Sequence, residues 1–213
     1  MILPGIDDEV LARLAGTDPW DGSCHRTAGV ALSGVEDKAA LVSALVAAVE
    51  DEGPAERTLA WRFLAMLAQT EAGLTEPIGE AVVAASRSGS IGPTDKEAAV
   101  GILAFCSSDS AWEVLVGLAG DPDPVVRRKV AIFLNQMDAA RWEQTRALLI
   151  ALSADPDPAV RDGAAFTLAE AATEDRLARE ALRPLLSDDD PWTRAEARRG
   201  LGMPPEVADQ PVE

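Results

Sequence analysis

The chain has 213 residues, of which 47% are hydrophobic and only 4% aromatic, and its formal net charge is -17. Ala, Leu and Val dominate, which favours closely packed helices over a β-sandwich. The negative charge opposes approach of the whole protein to DNA or to an anionic membrane, and it favours a basic protein partner.

Cysteine usage and hydropathy indicate the compartment. Cys24 and Cys106 are too few for a disulfide framework and fit a reducing environment. The N-terminus has no basic stretch followed by a long apolar segment, and no apolar run reaches the roughly 20 residues that a membrane span needs. We therefore expect a cytoplasmic protein without a membrane-spanning segment.

Residues 1–35 lack the periodicity of the rest of the chain. A short helix is predicted near residues 7–15, followed by an irregular, Gly-rich stretch over residues 16–36 that contains Cys24 and His25. This segment is interpreted as a cap on the helices that follow, and a functional loop is the alternative. His25 is the only histidine, so a zinc site lacks ligands, and adjacent Cys and His side chains seldom form a catalytic dyad.

The remainder of the chain repeats every 31 to 39 residues around five prolines. A base follows each proline by three residues, a small apolar residue by six and a leucine by ten. Pro is favoured at the first helical position, and a preceding Asp is a natural N-cap. Each proline is therefore predicted to begin the second helix of a unit. The prolines are Pro54, Pro93, Pro124, Pro158 and Pro191, and the bases are Arg57, Lys96, Arg127, Arg161 and Arg194.

Amphipathic segments between these helices supply the first helix of each unit. They cover residues 37–50, 71–87, 109–119, 140–153 and 174–186. Units of this size cannot bury their own apolar faces, so neighbouring units must stack. The sequence thus predicts an all-α fold, an α-solenoid (α-α superhelix) of about five helix pairs over residues 36–203. Residues 1–35 form its cap, and residues 204–213 are predicted to be a disordered acidic tail.

The segments "DPDPVVR" (121–127) and "DPDPAVR" (155–161) resemble the turn and second-helix start of HEAT repeats, in particular the bacterial PBS-lyase HEAT-like form. The resemblance covers roughly residues 36–203 and implies an α-solenoid without implying one function. Four units carry an acid six residues before the base, which forms an acid column of Asp51, Asp121, Asp155 and Asp188, and the Pro93 unit has Ser90 there. The resemblance also implies that the acid and base columns pair between successive units, and that the second helices line a concave face.

The Asp-x-Asp pairs Asp121/Asp123 and Asp155/Asp157 lack the Gly and bidentate Glu of a calcium loop. Helix capping and ion pairing explain these acids, so we expect no metal site. We also expect no cofactor and no catalytic residue. The second helices hold ten bases against six acids, which predicts a neutral to basic open face. The expected partner-binding residues are Trp61, Arg62, Arg128, Lys129, Ile132, Asn135, Phe166 and Arg199.

The sequence therefore favours a non-enzymatic module that binds another protein or a peptide, such as a scaffold, adaptor or inhibitor. An enzyme is the alternative. The HEAT-like alkylpurine DNA glycosylases, which this chain matches only in residue types, hold damaged DNA on a basic concave face, where Asp162 would be the acid and Trp192 a stacking wall. The net charge argues against nucleic acid as a partner. Nothing in the sequence predicts an oligomeric state.

Overall fold

The computed structural model describes residues 5–6, 30, 34–51 and 53–205, and within these ranges every regular element is helical. The expected N-terminal cap, with Cys24 and His25, lies almost entirely outside the described residues, as do residues 206–213 of the expected tail. The α-helices are α1 (Lys38–Asp51), α2 (Pro54–Thr70), α3 (Ala72–Ser88), α4 (Lys96–Leu103), α5 (Asp109–Leu118), α6 (Pro124–Phe133), α7 (Trp142–Leu152), α8 (Pro158–Ala171), α9 (Arg176–Leu182) and α10 (Pro191–Gly200).

Short 3₁₀ turns complete the helix pairs. They comprise Pro93–Asp95 before α4, Leu134–Gln136 after α6, Ala139–Arg141 before α7 and Pro184–Ser187 after α9. The odd-numbered α-helices are the predicted first helices and the even-numbered ones the second helices. The five predicted pairs are therefore confirmed within the described part of the chain.

The chain divides into two compact units, Met1–Val114 and Leu115–Glu213, with the boundary inside α5. In the first unit α2 packs against α1, α3 and α4. In the second unit α8 packs against α6, α7, α9 and α10. Second helices thus contact second helices, which is the arrangement expected of stacked repeats.

The two apolar columns of the repeat form the core of each unit. The small residue six positions after each proline is buried completely, as Ala60, Ala99, Val130, Ala164 and Ala197. The leucine four residues later lies on the same helix face, and four of the five copies are buried: Leu64, Leu103, Leu134 and Leu168. Leu201 in the last unit is only half-buried, because no later helix among the described residues covers it.

Four of the five second helices begin at the predicted proline, whereas α4 begins at Lys96, after the 3₁₀ turn Pro93–Asp95. Asp123 and Asp157 each accept a hydrogen bond from the backbone N–H two residues on, and Asp190 accepts from Thr193 N–H. These side chains satisfy N–H groups that a helix start leaves without partners.

Among the described residues, none of the helices combines the length and the apolar composition that crossing a membrane requires.

Candidate interaction face and arginine ladder

The regular spacing of acid and base in this sequence produces a ladder between successive helix pairs. Arg127 of α6 forms a two-pronged contact with Asp155, with Nε–Oδ2 and Nη2–Oδ1 both at 2.8 Å. Arg161 of α8 makes the same contact with Asp188, again at 2.8 Å for both bonds. The predicted pairing is therefore confirmed at two consecutive steps, both within the second unit.

Each ladder arginine also closes its own turn. Arg127 Nη1 donates to the carbonyls of Asp121 and Pro122, and Arg161 Nη1 donates to those of Asp155 and Pro156. The hydrogen bonds from Arg127 lower the pKa of Asp155, and those from Arg161 lower the pKa of Asp188 to about 2. Both carboxylates are ionised at neutral pH, and their guanidinium partners hold the turn and the neighbouring unit together.

The unit around Pro93 has no acid in the acid column, and a different carboxylate pairs with the base of the preceding unit. Ser90 stands where the other units carry Asp, and Asp95, two residues after Pro93, takes the place of the missing acid. Its carboxylate is 1% exposed and forms an ion pair with Arg57, with Nε and Oδ2 3.3 Å apart. The base column therefore finds an acid in the first unit as well, from a position that the column comparison did not indicate.

A second set of contacts, which the sequence reasoning missed, joins the starts of successive first helices. Lys38 at the start of α1 bonds to Glu71 just before α3, and Trp142 at the start of α7 donates from Nε1 to Asp175 just before α9, at 2.6 Å. Both pairs are separated by 33 residues. That separation matches the repeat period, so a search for polar pairs at this spacing could have found them.

The open surface of the second unit is formed by residues of α6, α8 and α10. They lie one, four or five, eight or twelve positions after the proline that begins each of these helices. Such positions share one side of a helix. We call this surface the second-helix face. It comprises Val125, Arg128, Ile132, Asp162, Phe166, Glu170, Trp192, Glu196 and Arg199.

The charged groups of the second-helix face are paired with one another. Arg128 lies 3.8 Å from Asp162. Arg199 contacts Glu170 at 2.9 Å and Glu196 at 2.6 Å. Three carboxylates therefore meet two guanidinium groups, so this face carries more acid than base, and the expectation of a neutral to basic surface is wrong here.

Two aromatic side chains give the face its apolar area. Trp192, on the first turn of α10, is 73% exposed. Phe166 is half-buried, with the Arg199 guanidinium 5.2 Å from its ring centroid and Arg199 Nη2 donating to its carbonyl. The cation over the ring and two carboxylates around the cation hold this part of the surface in one geometry.

The surroundings of Asp162 disfavour its ionised form. Desolvation raises its pKa, as do Glu196 and Asp190, whereas Arg128 acts in the opposite direction. The adjacent Gly163 lets α6 and α8 approach closely, since an added Cβ would lie 3.2 Å from Ile132 Cγ1 and 3.4 Å from Arg128 Cγ. Asp162 is therefore held where two helices meet, beside the arginine that partly compensates its burial.

The structure brings together four of the eight expected partner-binding residues, namely Arg128, Ile132, Phe166 and Arg199. Asn135 is exposed in the turn after α6, where Gln136 donates to it. Lys129 lies half-buried on the neighbouring stripe of α6, with Nζ 4.9 Å from the Phe133 ring centroid. Trp192, which belongs to the face, was assigned only to the enzymatic alternative.

The two expected residues of the first unit lie in different surroundings. Trp61 is 2% exposed and packs among residues of α1, α2 and α3, so its placement on an open face is wrong. The position seven after the proline adjoins the buried column, which explains the burial. Arg62 is half-buried.

The remaining candidate chemistry is structural where it is described. Burial, with a smaller effect from Glu76, raises the pKa of the Cys106 thiol to about 12, so it is not a nucleophile at neutral pH. Among the described residues, no group of three or more His, Cys, Asp or Glu side chains is placed to hold a metal ion.

Stacked helix pairs, an arginine ladder and an exposed second-helix face define a helical-repeat protein of the α-solenoid class. Residues 145–211 match the family model for HEAT repeats. This match covers roughly the last third of the chain and confirms the resemblance there. A comparison with curated protein sequences finds no match.

Solved structures agree on the fold. An engineered protein is 21% identical, with a TM-score of 0.60 over 92% of this chain and 96% of that chain. The Escherichia coli protein YibA is 21% identical, with a TM-score of 0.58 over 92% of this chain and 69% of that chain. A designed armadillo repeat protein in complex with the peptide (KR)4 is 17% identical, with a TM-score of 0.57 over 91% and 97% of the two chains. These similarities establish the fold.

Proposed function

We propose that the chain is a non-enzymatic interaction module that binds a protein or an extended peptide along the second-helix face. The observation that carries this proposal is the exposure of Trp192 on the same side of α10 as Arg199, whose guanidinium group lies over the Phe166 ring. A large apolar side chain rimmed by ordered charged groups is typical of a binding hot spot. Because the ladder and the paired charges order the surface beforehand, binding requires little rearrangement.

Charge supports a partner with basic character. The face carries one more acid than base, and the whole chain has a net charge of -17. Complementary charge speeds encounter and selects against acidic partners. A protein of the same fold has been solved with the peptide (KR)4, which is therefore a suitable first probe.

The geometry favours this function over the glycosylase-type enzyme. Arg128 and Arg199, which would have to contact phosphates, are each paired with carboxylates of the chain itself. A bound DNA backbone would have to break these pairs and would lie against Asp162, Glu170 and Glu196. The second-helix face thus suits a cationic or amphipathic partner better than a polyanion.

The experiment compares Trp192→Ala with Ile150→Ala, which shortens another exposed apolar side chain, 40% exposed on the first helix α7. Binding of fluorescein-labelled (KR)4 is measured by anisotropy at low salt, with (ES)4 as the acidic control peptide. We expect Trp192→Ala to weaken binding by about 10-fold or more, since exposed tryptophans at interfaces are often worth about 2 kcal/mol. Ile150→Ala should bind like the wild type.

Two results would overturn the proposal. One is equal affinity of the wild type and Trp192→Ala for (KR)4, which would remove the second-helix face as the binding surface. The other is the absence of saturable (KR)4 binding, which would remove the basic peptide as the class of partner. Circular dichroism of each variant verifies that the helix content is retained.

A further inference from the structure

A cleft of about 580 Å³ lies in the second unit beside the C-terminal end of α8. Its walls come from the start of α7, the end of α8 and the loop that leads into α9. The lining side chains that matter are Trp142, Arg146, Glu170, Glu174, Asp175 and Arg176. Its volume is within the range of sites that hold small ligands or single side chains with their backbone.

One wall of the cleft is fixed by a single carboxylate. Asp175 Oδ2 accepts hydrogen bonds from Trp142 Nε1 and Arg146 Nη1, both at 2.6 Å. Asp175 Oδ1 caps α9 by accepting from the N–H groups of Leu177 and Ala178. These bonds outweigh desolvation and hold the pKa of Asp175 well below its usual range. The indole ring of Trp142 is therefore held in place at the edge of the cleft.

Some of the charged groups that line the cleft have an ion-pair partner, and one does not. Arg146 is paired with Asp175, and Arg176 is paired with Glu180 outside the cleft. The carboxylate of Glu174 has no hydrogen bond or ion pair within the part of the chain that the structure describes. The cleft therefore presents one fixed indole ring and one carboxylate that forms no ion pair with a cation of the described chain.

The surroundings already attract guanidinium groups of the chain itself. Arg179 donates to the carbonyls of Ala172 and Thr173 just beyond the end of α8, and Arg199 pairs with Glu170. A helix C-terminus carries partial negative charge, which favours cations nearby. An anionic ligand would instead face Glu170 and Glu174 across cations that are already paired.

We propose that this cleft binds the guanidinium group of an arginine side chain, stacked on Trp142 and paired with Glu174. Arginine fits better than lysine because its planar, weakly hydrated group stacks on an aromatic ring and bonds a carboxylate with two N–H groups at once. The inference rests on the proposed function only for the source of this arginine, which is the partner polypeptide. The cleft shares Glu170 with the second-helix face, but neither Trp192 nor Phe166 lines it.

The test uses the full chain and a small probe. The indole N–H signals of the five tryptophans are followed by heteronuclear NMR, and Trp142→Phe identifies the Trp142 signal. The chain is titrated with N-acetyl-arginine amide and, separately, with N-acetyl-citrulline amide, which has nearly the same shape without the charge. We expect a saturable shift of the Trp142 signal with the arginine probe, no comparable shift with citrulline, and no saturable shift of Trp192.

Glu174→Gln removes the carboxylate that would pair with the ligand, and we expect it to weaken arginine binding about 5-fold, in line with the loss of one charge-assisted contact. Glu113→Gln is the matched control, because Glu113 is an exposed acid on α5 and the change in net charge is the same. Equal shifts with arginine and citrulline, or unchanged affinity in Glu174→Gln, would overturn the proposal.

The outcomes separate this inference from the proposed function. In one outcome, arginine binding depends on Glu174, and (KR)4 binding is the same in Trp192→Ala as in the wild type. That outcome would support the cleft as an arginine site and would overturn the second-helix face as the binding surface. Peptide binding that depends on Trp192 but no arginine effect at Trp142 would do the reverse.

Discussion

At the scale of single residues, the ladder arginines combine three contacts in one side chain. Arg161 bonds to Asp188 of the following unit, to two carbonyls of its own turn and to Asp189. Its side chain is 14% exposed and that of Asp188 is 8% exposed, whereas Asp189 is 90% exposed. A shielded pair contributes much more than an exposed one, because water and salt screen it less.

We predict that Asp188→Asn lowers the free energy of unfolding by roughly 2 kcal/mol at pH 7, in line with a folded-state pKa of about 2 against an ordinary value of 3.8. Asn can keep one oxygen as the acceptor for the Asp190 N–H, but its NH₂ group replaces the oxygen that accepts from Arg161 Nε, so the substitution removes the charge and one prong of the contact. Denaturant titrations of wild type and variant measure the difference.

The pH dependence of this difference follows from the lowered pKa. The ionised form is favoured in the folded state, so its stabilisation is fully present above pH 4 and is lost as the pH falls toward 2. The wild type and Asp188→Asn should therefore converge in acid. Asp189→Asn, which removes the exposed partner of the same arginine, is the control and should unfold like the wild type. An equal loss in both variants at pH 7 would show that burial does not decide the strength of the pair.

At the scale of helices, two glycines allow close approach of neighbouring elements. A Cβ added at Gly200 of α10 would lie 2.4 Å from Leu182 Cδ1 and 2.8 Å from Ala169 Cα, which includes backbone that cannot move cheaply. Gly79 of α3 is similar, with Cys106 Sγ at 2.3 Å from the added atom. The glycine in each case is there for packing, since interiors have little free space.

We predict that Gly200→Ala destabilises the second unit by about 1–3 kcal/mol, because the added methyl group overpacks the contact of α10 with α8 and α9. Gly117→Ala on α5 is the matched control, since nothing lies within 4 Å of the added Cβ. Alanine is the better helix former, so this control should gain up to about 1 kcal/mol. Thermal unfolding checks both, and a stabilised Gly200→Ala protein would contradict the packing derived for α10.

At the scale of the whole molecule, the chain carries a formal net charge of -17. The ladder bases are turned toward carboxylates and carbonyls, and the arginines of the second-helix face are paired with acids. If the proposed function holds, we expect this charge to oppose a polyanion and to favour a basic peptide, and salt should weaken both effects.

We predict that (KR)4 affinity falls as NaCl rises from about 20 to 200 mM, a range over which the screening length shrinks several-fold. Duplex DNA carrying an alkylated purine should not bind under the same conditions. Anisotropy of labelled peptide and labelled DNA measures both. Saturable DNA binding, with base release lost in Asp162→Asn, would instead support the enzymatic alternative.

The repeat made most of the fold predictable. Pro158, the Asp157 cap, Ala164 and Leu168 behave as their columns predict, because a helix start and a buried stripe depend on residues within one turn or two of each other. Trp61 was assigned wrongly because the exposure of a position next to the buried stripe depends on helices α1 and α3. Asp95 was missed as a ladder acid because it lies five residues after the acid column, where Ser90 stands, and only the folded chain places it against Arg57.

The sequence by itself determined the number of helix pairs, where four of the five second helices begin, and most of the residues that form the core and the ladder. These properties follow from local spacing and from periodicity, which a linear pattern records. Only the tertiary structure decided that Arg199 is held by Glu170 and Glu196, that Trp192 is exposed and Trp61 buried, and that Trp142 and Glu174 line one cleft. Those properties depend on side chains from different helices that meet only in the folded chain. A charged group that is paired within the protein no longer acts as a free charge.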